Sequence, residues 1–194
     1  MPKLWSATIE THRREVRAAV IEAASRLVAE QGLRGATMSR IAERAGIGRA
    51  TLYKYYPDPE SILRDWHAEQ VARHLAQLTV IGQRAGAADR RLREVLRTHA
   101  ELARESASHG DAGGASDIVA ALHADERVTA AGTTLEALVT GLIDRGVRSE
   151  QFRRDIPSDE LALFSLGAME GARRLTSAAA LDRRLDLVLQ ALRG

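Results

Sequence analysis

Apolar side chains recur every three to four positions along almost the whole chain, the rhythm that gathers them on one face of an α-helix. No stretch shows the alternation of a strand, so the pattern predicts an all-α fold of about nine helices. The first helix is expected over Ile9–Gln31, with Val16, Ala19, Val20, Ala23, Ala24, Leu27 and Val28 inward and Gly32 as its stop. Two short helices follow, Met38–Ala45 and Arg49–Tyr55. Asp58, Pro59 and Glu60 open a fourth that runs to Val80: a cap, a proline in the first turn, then an acid. Gly82–Ala88 reads as a loop, and Asp89 as the cap of a fifth helix reaching Ser108. His109–Ala115 is the most flexible-looking stretch, and Ser116–Ala124 a short sixth helix. Glu126–Arg145 carries the stripe Val128, Ala131, Leu135, Leu138 and Leu142 and stops at Gly146. Ser158 is expected to cap a helix that runs to Thr176. The last helix, Ala180–Arg193, aligns Leu181, Leu185, Val188 and Leu192 on one seam, widened by Leu189.

The segment Thr37–Tyr56 is the most specific part of this pattern. Two short helices meet there across a tight turn, a unit able to place its second helix in the major groove of DNA. Ala42 lets the helices approach closely, Gly46 supplies a positive φ, and Leu52 plugs the second helix from within; Thr37 is placed to cap the first. Leu52 and Tyr56 lie one turn apart on the inner face, which turns Thr51 and Lys54 outward with Arg49 and Tyr53 at the flanks. Arg49 suits a guanine edge, and Thr51 a base or a phosphate. Tyr53, Lys54 and Tyr55 suit phosphates, which position a protein without carrying sequence information. Tyr55 is equally suited to packing against the first helix. Ser39 and Arg40 open the first short helix, where free N–H groups favour a phosphate. Arg13, Arg14 and Arg17 either reach the DNA backbone beside this unit or form an ordinary charged helix surface.

Charge and composition sharpen this reading. The net charge of +2 hides an asymmetry: residues 1–56 hold ten Lys/Arg against five Asp/Glu, and the rest holds 18 against 21. A basic head on a mildly acidic body is the electrostatic footprint of a DNA-binding module joined to something else. The division expected is a DNA-binding domain over 1–57 and a second domain over 58–194. The chain has no cysteine, which removes disulfides, thiol nucleophiles and cysteine-held zinc and fits a reducing cytoplasm. No apolar run is long enough to span a membrane, and the N-terminal residues lack the core of an export signal.

The order Thr37, Ile41-Ala42, Ala45-Gly46-Ile47, Thr51-Leu52-Tyr53, Tyr56 and Ile62-Leu63 resembles the TetR family of bacterial transcriptional repressors. The specific likeness covers residues 13–64; beyond it, only the chain's size and its run of helices agree. Pro59 stands where the family usually has a phosphate-binding lysine, and Gly48 leaves the first position of the recognition helix without a side chain. The resemblance implies a cytoplasmic homodimer on double-stranded operator DNA, released when a small molecule binds the C-terminal domain and shifts the two heads out of register. Two half-sites must lie about 34–36 Å apart or a multiple of it. It also places the effector pocket among the middle helices, where the candidates are Trp66, His67, His99, Ala103, Asp117, His123, Leu138, Phe164 and Glu170. With so few aromatics after Tyr56, an aliphatic pocket with one or two polar anchors is expected.

Dimerisation is expected through the last two helices, whose Gly167, Ala168 and Gly171 permit close approach. Their Leu181–Leu192 seam would complete a four-helix bundle with a partner, unless it packs within its own subunit. Two other functions compete with the ligand-responsive repressor. One is a repressor that needs no ligand. The other is a helical enzyme, for which the chain offers no GxSxG, P-loop or HExxH signature and no cofactor motif. His67 and His74, seven apart on one helix, offer two metal ligands but no evident third.

Overall fold

The structure, a computed structural model, describes residues 3–110, 122–175 and 177–193. These form α1 (Lys3–Gln31), α2 (Met38–Arg44), α3 (Arg49–Tyr53), α4 (Pro59–Gln83), α5 (Ala88–Gly110), α6 (Glu126–Arg148), α7 (Ser158–Glu170) and α8 (Ala178–Arg193). Single 3-10 turns occupy Leu33–Gly35 and Gly171–Arg174, and no strand occurs among the described residues. Eight α-helices are therefore described where nine were expected; the helix expected over 116–124 lies mostly outside the described residues, as does the glycine-rich stretch 111–115. No described helix is long and apolar enough to cross a membrane.

The helices sort into two compact units, and α4 contributes to both. The first contains residues 3–70, 109–110 and 122–125, the second 71–108 with 126–175 and 177–193. In the first, the inner face of α1 buries Val16, Val20, Ala23, Ala24, Leu27 and Val28 against Ile41, Ala42, Leu52, Tyr56, Ile62 and Leu63. This is the face expected from the spacing. A bidentate ion pair from Arg44 to Glu30 (2.5 and 2.9 Å) ties α2 to the end of α1, and the guanidinium holds the Glu30 carboxyl below its ordinary range. Arg40 is tied to Gln31 in the same corner.

The second unit has its own aliphatic core. Leu92, Val95 and Leu96 of α5 meet Val139, Leu142 and Ile143 of α6, Leu161 and Ala162 of α7, and Leu185, Val188 and Leu192 of α8. The seam Leu181–Leu192, expected to face a partner, is instead the subunit's own interior: Leu185 and Leu192 are fully buried and Val188 nearly so. Among the described residues of this unit, the large apolar side chains left outside are Val80 on α4, Leu163 and Phe164 on α7 and Leu187 on α8, each at least half exposed.

Helix ends depart from expectation where tertiary contacts supply what the local sequence does not. Ala88 starts α5, so Asp89 is in the first turn rather than at the cap; Gln151 accepts its N–H (3.1 Å) and Arg193 pairs with its carboxylate (2.8 Å). Ser158 is the first residue of α7, behind Pro157, and makes no capping bond. That helix ends at Glu170 instead of Thr176, where Arg184 of α8 donates to the Ala168 carbonyl (3.1 Å). α4 runs three residues past Val80, through the expected loop start. At Gly82 an added Cβ would stand 2.8 Å from Leu138, so the glycine serves close packing rather than a turn. Gly146 likewise does not stop α6. A Cβ there would lie 2.1 Å from the Phe152 ring, which folds back over the helix end.

Candidate DNA interface

The turn between α2 and α3 is built by backbone bonds that its sequence permits. α2 ends at Arg44, Ala45 follows as the cap, and Gly46 adopts φ 69°. The Gly46 N–H then donates to Glu43 (3.1 Å) and the Ile47 N–H to Ala42 (3.0 Å), the paired closure of a Schellman motif. A side chain at Gly46 would meet no atom within 4 Å, so the constraint there is the backbone angle itself. Thr37 occupies the cap position of α2 in extended backbone, but its hydroxyl makes no capping bond; its carbonyl accepts the Ile41 N–H (2.9 Å).

α3 is shorter than expected, ending at Tyr53. Beyond it, Lys54 donates to Thr51 (3.1 Å) and Tyr55 to Leu52 (2.9 Å), which tightens the last turn. Leu52 is fully buried and Tyr56 nearly so, and both join the core beneath. Their burial orients the outer face. Arg49, Tyr53 and Lys54 are exposed, Thr51 is half-buried at the edge, and Tyr55 is half-buried against the core. The Arg49 guanidinium lies over the Tyr53 ring, 6.0 Å from its centroid, with Nη2 3.5 Å from the hydroxyl. Ser39 and Arg40 are exposed on α2. All seven residues expected to face DNA therefore belong to this one unit.

Tyr56 also anchors the unit's far side. Its hydroxyl donates to Asp65 on α4 (3.0 Å), and Arg17 lies over its ring at 5.7 Å. Burial, reinforced by the Asp65 charge, drives the phenol pKa far above its ordinary value, so this hydroxyl stays a donor. α4 itself starts as the sequence predicts: Asp58 accepts the Ser61 N–H (2.7 Å), and the Ser61 hydroxyl donates back to the Asp58 carbonyl (2.7 Å). A cleft of about 440 Å³ opens beside α3, lined by Glu10, Arg13, Arg14, Arg17, Lys54 and Tyr55.

The candidate effector residues fall in both units. Trp66 is buried in the first unit's core, with its indole N–H unpartnered among the described residues. His67 and His123 belong to that unit too, their rings 5.4 Å apart. His99, Ala103 and Leu138 are half-buried in the second unit, where Phe164 and Glu170 are exposed. Asp117 lies outside the described residues. Burial lowers the pKa of His99, and neighbouring His74 lowers it further; burial also lowers that of His74, with Arg73 adding to the effect and Glu105 opposing it. Among the described residues no three His, Cys, Asp or Glu side chains are grouped to hold a metal.

A small unit with a glycine turn and an exposed basic, tyrosine-bearing second helix defines a helix-turn-helix DNA reader. Residues 20–65 match the family model described as bacterial regulatory proteins, tetR family. A transcriptional regulator of the TetR/AcrR family from Thermobifida fusca has the same fold, with a TM-score of 0.73 at 18% identity over 92% of this chain and 98% of that one. A TetR transcriptional regulator from Streptomyces coelicolor aligns at 27% identity and a TM-score of 0.55, over 91% of this chain and 98% of that one. The regulator AibR, solved in complex with isovaleryl coenzyme A and operator DNA, aligns at 18% identity and a TM-score of 0.62, over 92% of this chain and 98% of that one. No curated protein matches the chain by sequence. Residues 20–65 thus carry the pattern of the tetR family model, and the chain as a whole has the fold of TetR transcriptional regulators.

Proposed function

We propose that this protein is a ligand-responsive transcriptional repressor that binds operator DNA as a homodimer. The observation that carries the proposal is the outer face of α3: burial of Leu52 and Tyr56 leaves Arg49, Thr51, Tyr53 and Lys54 turned away from the core. Arg49 reads bases, Tyr53, Lys54 and Tyr55 hold phosphates, and Ser39 and Arg40 add contacts from α2. A head over 1–57 and an effector-binding body over 58–194 divide the work. Support for an effector comes from the fold's occurrence in a regulator bound to both an acyl-coenzyme A and its operator.

The effector proposed is a largely aliphatic molecule with a polar end, in keeping with the body's aliphatic core. His99 and Ala103, one turn apart on α5, and Leu138 on α6 are its proposed contacts. Phe164 is reassigned: with Leu163 and Leu187 it forms the exposed apolar surface proposed to meet the partner subunit. Genomic footprinting tests the reading at once. It should find a two-fold symmetric operator, and acyl-coenzyme A esters or fatty acids of graded length should release the protein from it. Binding without release by any of these would favour the repressor that needs no ligand; no protected site would sink the DNA reading.

A further inference from the structure

We infer that the cleft lined by α1 is a second DNA-backbone clamp, which grips phosphates of the operator flank outside the stretch read by α3. The inference rests on the DNA-binding reading above and extends it from Lys54 and Tyr55 onto the arginine face of α1. Four cations line the cleft (Arg13, Arg14 and Arg17 of α1, and Lys54 just after α3) against one carboxylate, Glu10. What sets them apart is how little compensates them. Further along α1, Arg26 is paired with Glu22 one turn away, and Arg44 is paired with Glu30. None of Arg13, Arg14, Arg17 and Lys54 forms an ion pair among the described residues. Arg14 reaches only the Thr11 hydroxyl (3.3 Å), and Arg17 only the face of the Tyr56 ring (5.7 Å).

Four like charges around one concave space repel one another unless an anion enters. The occupant is fixed by continuity. Lys54 and Tyr55 line the cleft and follow directly on the helix proposed to read DNA, so the strand positioned by that helix continues into the cleft. The arginine forks suit phosphate oxygens, and the Tyr55 hydroxyl suits the same backbone. Glu10 faces the same space and weakens the grip.

The test compares two duplexes carrying the footprinted operator. One ends at the last base pair protected by α3, and the other extends about half a turn, roughly five base pairs, further on each side. Arg13→Ala with Arg14→Ala, both exposed positions, should leave the melting temperature and the short-duplex affinity unchanged while weakening binding to the long one. Each neutralised phosphate contributes about 0.9 to the logarithmic salt slope, so for two the variant's deficit on the long duplex should shrink roughly tenfold between 50 and 200 mM salt. Glu10→Gln should tighten binding to the long duplex only. An equal loss on both duplexes, or an unchanged salt slope, would overturn the clamp. Tyr53→Ala and Lys54→Ala should weaken binding to both duplexes; if they too leave the short-duplex affinity intact, the DNA reading fails and the clamp with it.

Discussion

At Arg49 two neighbouring side chains divide two tasks. Its guanidinium rests over the Tyr53 ring, so the residue proposed to read bases and one proposed to hold phosphates touch on the same exposed face. Replacing Arg49 with Ala should relax sequence preference at one operator position, since a good bidentate base contact is worth about 1–3 kcal/mol of discrimination. Tyr53→Ala should weaken all sequences more evenly. Competition binding against single-base operator variants separates these outcomes, and a uniform loss from both would show that Arg49 does not read bases. Gly46 is a purely conformational position. Gly46→Val should cost about 1–2 kcal/mol through the positive φ, whereas Gly46→Asn should cost markedly less, as thermal melting would show. Both residues were legible in the sequence, because a turn of fixed length demands a glycine and helical spacing dictates which neighbours point outward. The hydroxyl of Thr37 was not: its cap position was readable, but whether the side chain rotates onto a backbone N–H is a local choice that spacing does not determine.

The helices themselves follow from apolar period, and the inward face of α1 agrees with it except that Ala19 is only half-buried and Ile21 is buried as well. What period cannot state is the partner of an apolar seam. Leu181, Leu185, Val188 and Leu192 read equally well as an intersubunit or an intrasubunit surface, and the structure assigns them to the latter. Leu185→Ala should therefore destabilise the subunit by about 2–5 kcal/mol in chemical denaturation, while Leu187→Ala, two residues on and mostly exposed, should leave the melting of a separated subunit unchanged. Glycines mislead in the same way. Gly82 and Gly146 look like helix stops, yet each sits where a neighbouring side chain comes within a bond length or two of the missing Cβ. Gly146→Ala should destabilise the body, and Phe152→Leu should recover part of that loss by shortening the offending group, a coupling that a double-mutant cycle would measure.

For the whole molecule, assembly and acidity give the two informative tests. If Leu163, Phe164 and Leu187 meet a partner, Leu163→Glu with Phe164→Glu should give monomers in light scattering with unchanged helix content. A persistent dimer would move the interface elsewhere. His99 sets an acid limit. Its folded pKa is lowered by burial, so below about pH 6.5, the ordinary histidine value, the unfolded chain takes up a proton that the folded body resists. Stability should be full above that value and fall as pH drops through it toward the folded pKa. His99→Leu should flatten the fall in chemical denaturation between pH 7 and 5; an unchanged slope would show that the imidazole is not the source. The helix-turn-helix unit was legible in the sequence because it lies within twenty consecutive residues. The effector candidates, chosen by residue type alone, had no such contiguous pattern and fall in both units.

Lys54, at the edge of the α1 cleft, is one of only two lysines in the chain; the other is Lys3, and none follows residue 54. Amine-directed chemistry is therefore confined to the basic head. Acetylating reagents or activated-ester dyes have Lys54 as their described side-chain target, so its labelling, followed by mass spectrometry with and without operator, becomes a direct occupancy gauge. The converse concerns assembly: a lysine crosslinker finds nothing to join on two bodies, and its silence would carry no information about the dimer. Carboxylate-directed reagents, which meet 21 acids beyond residue 56, are the appropriate choice there.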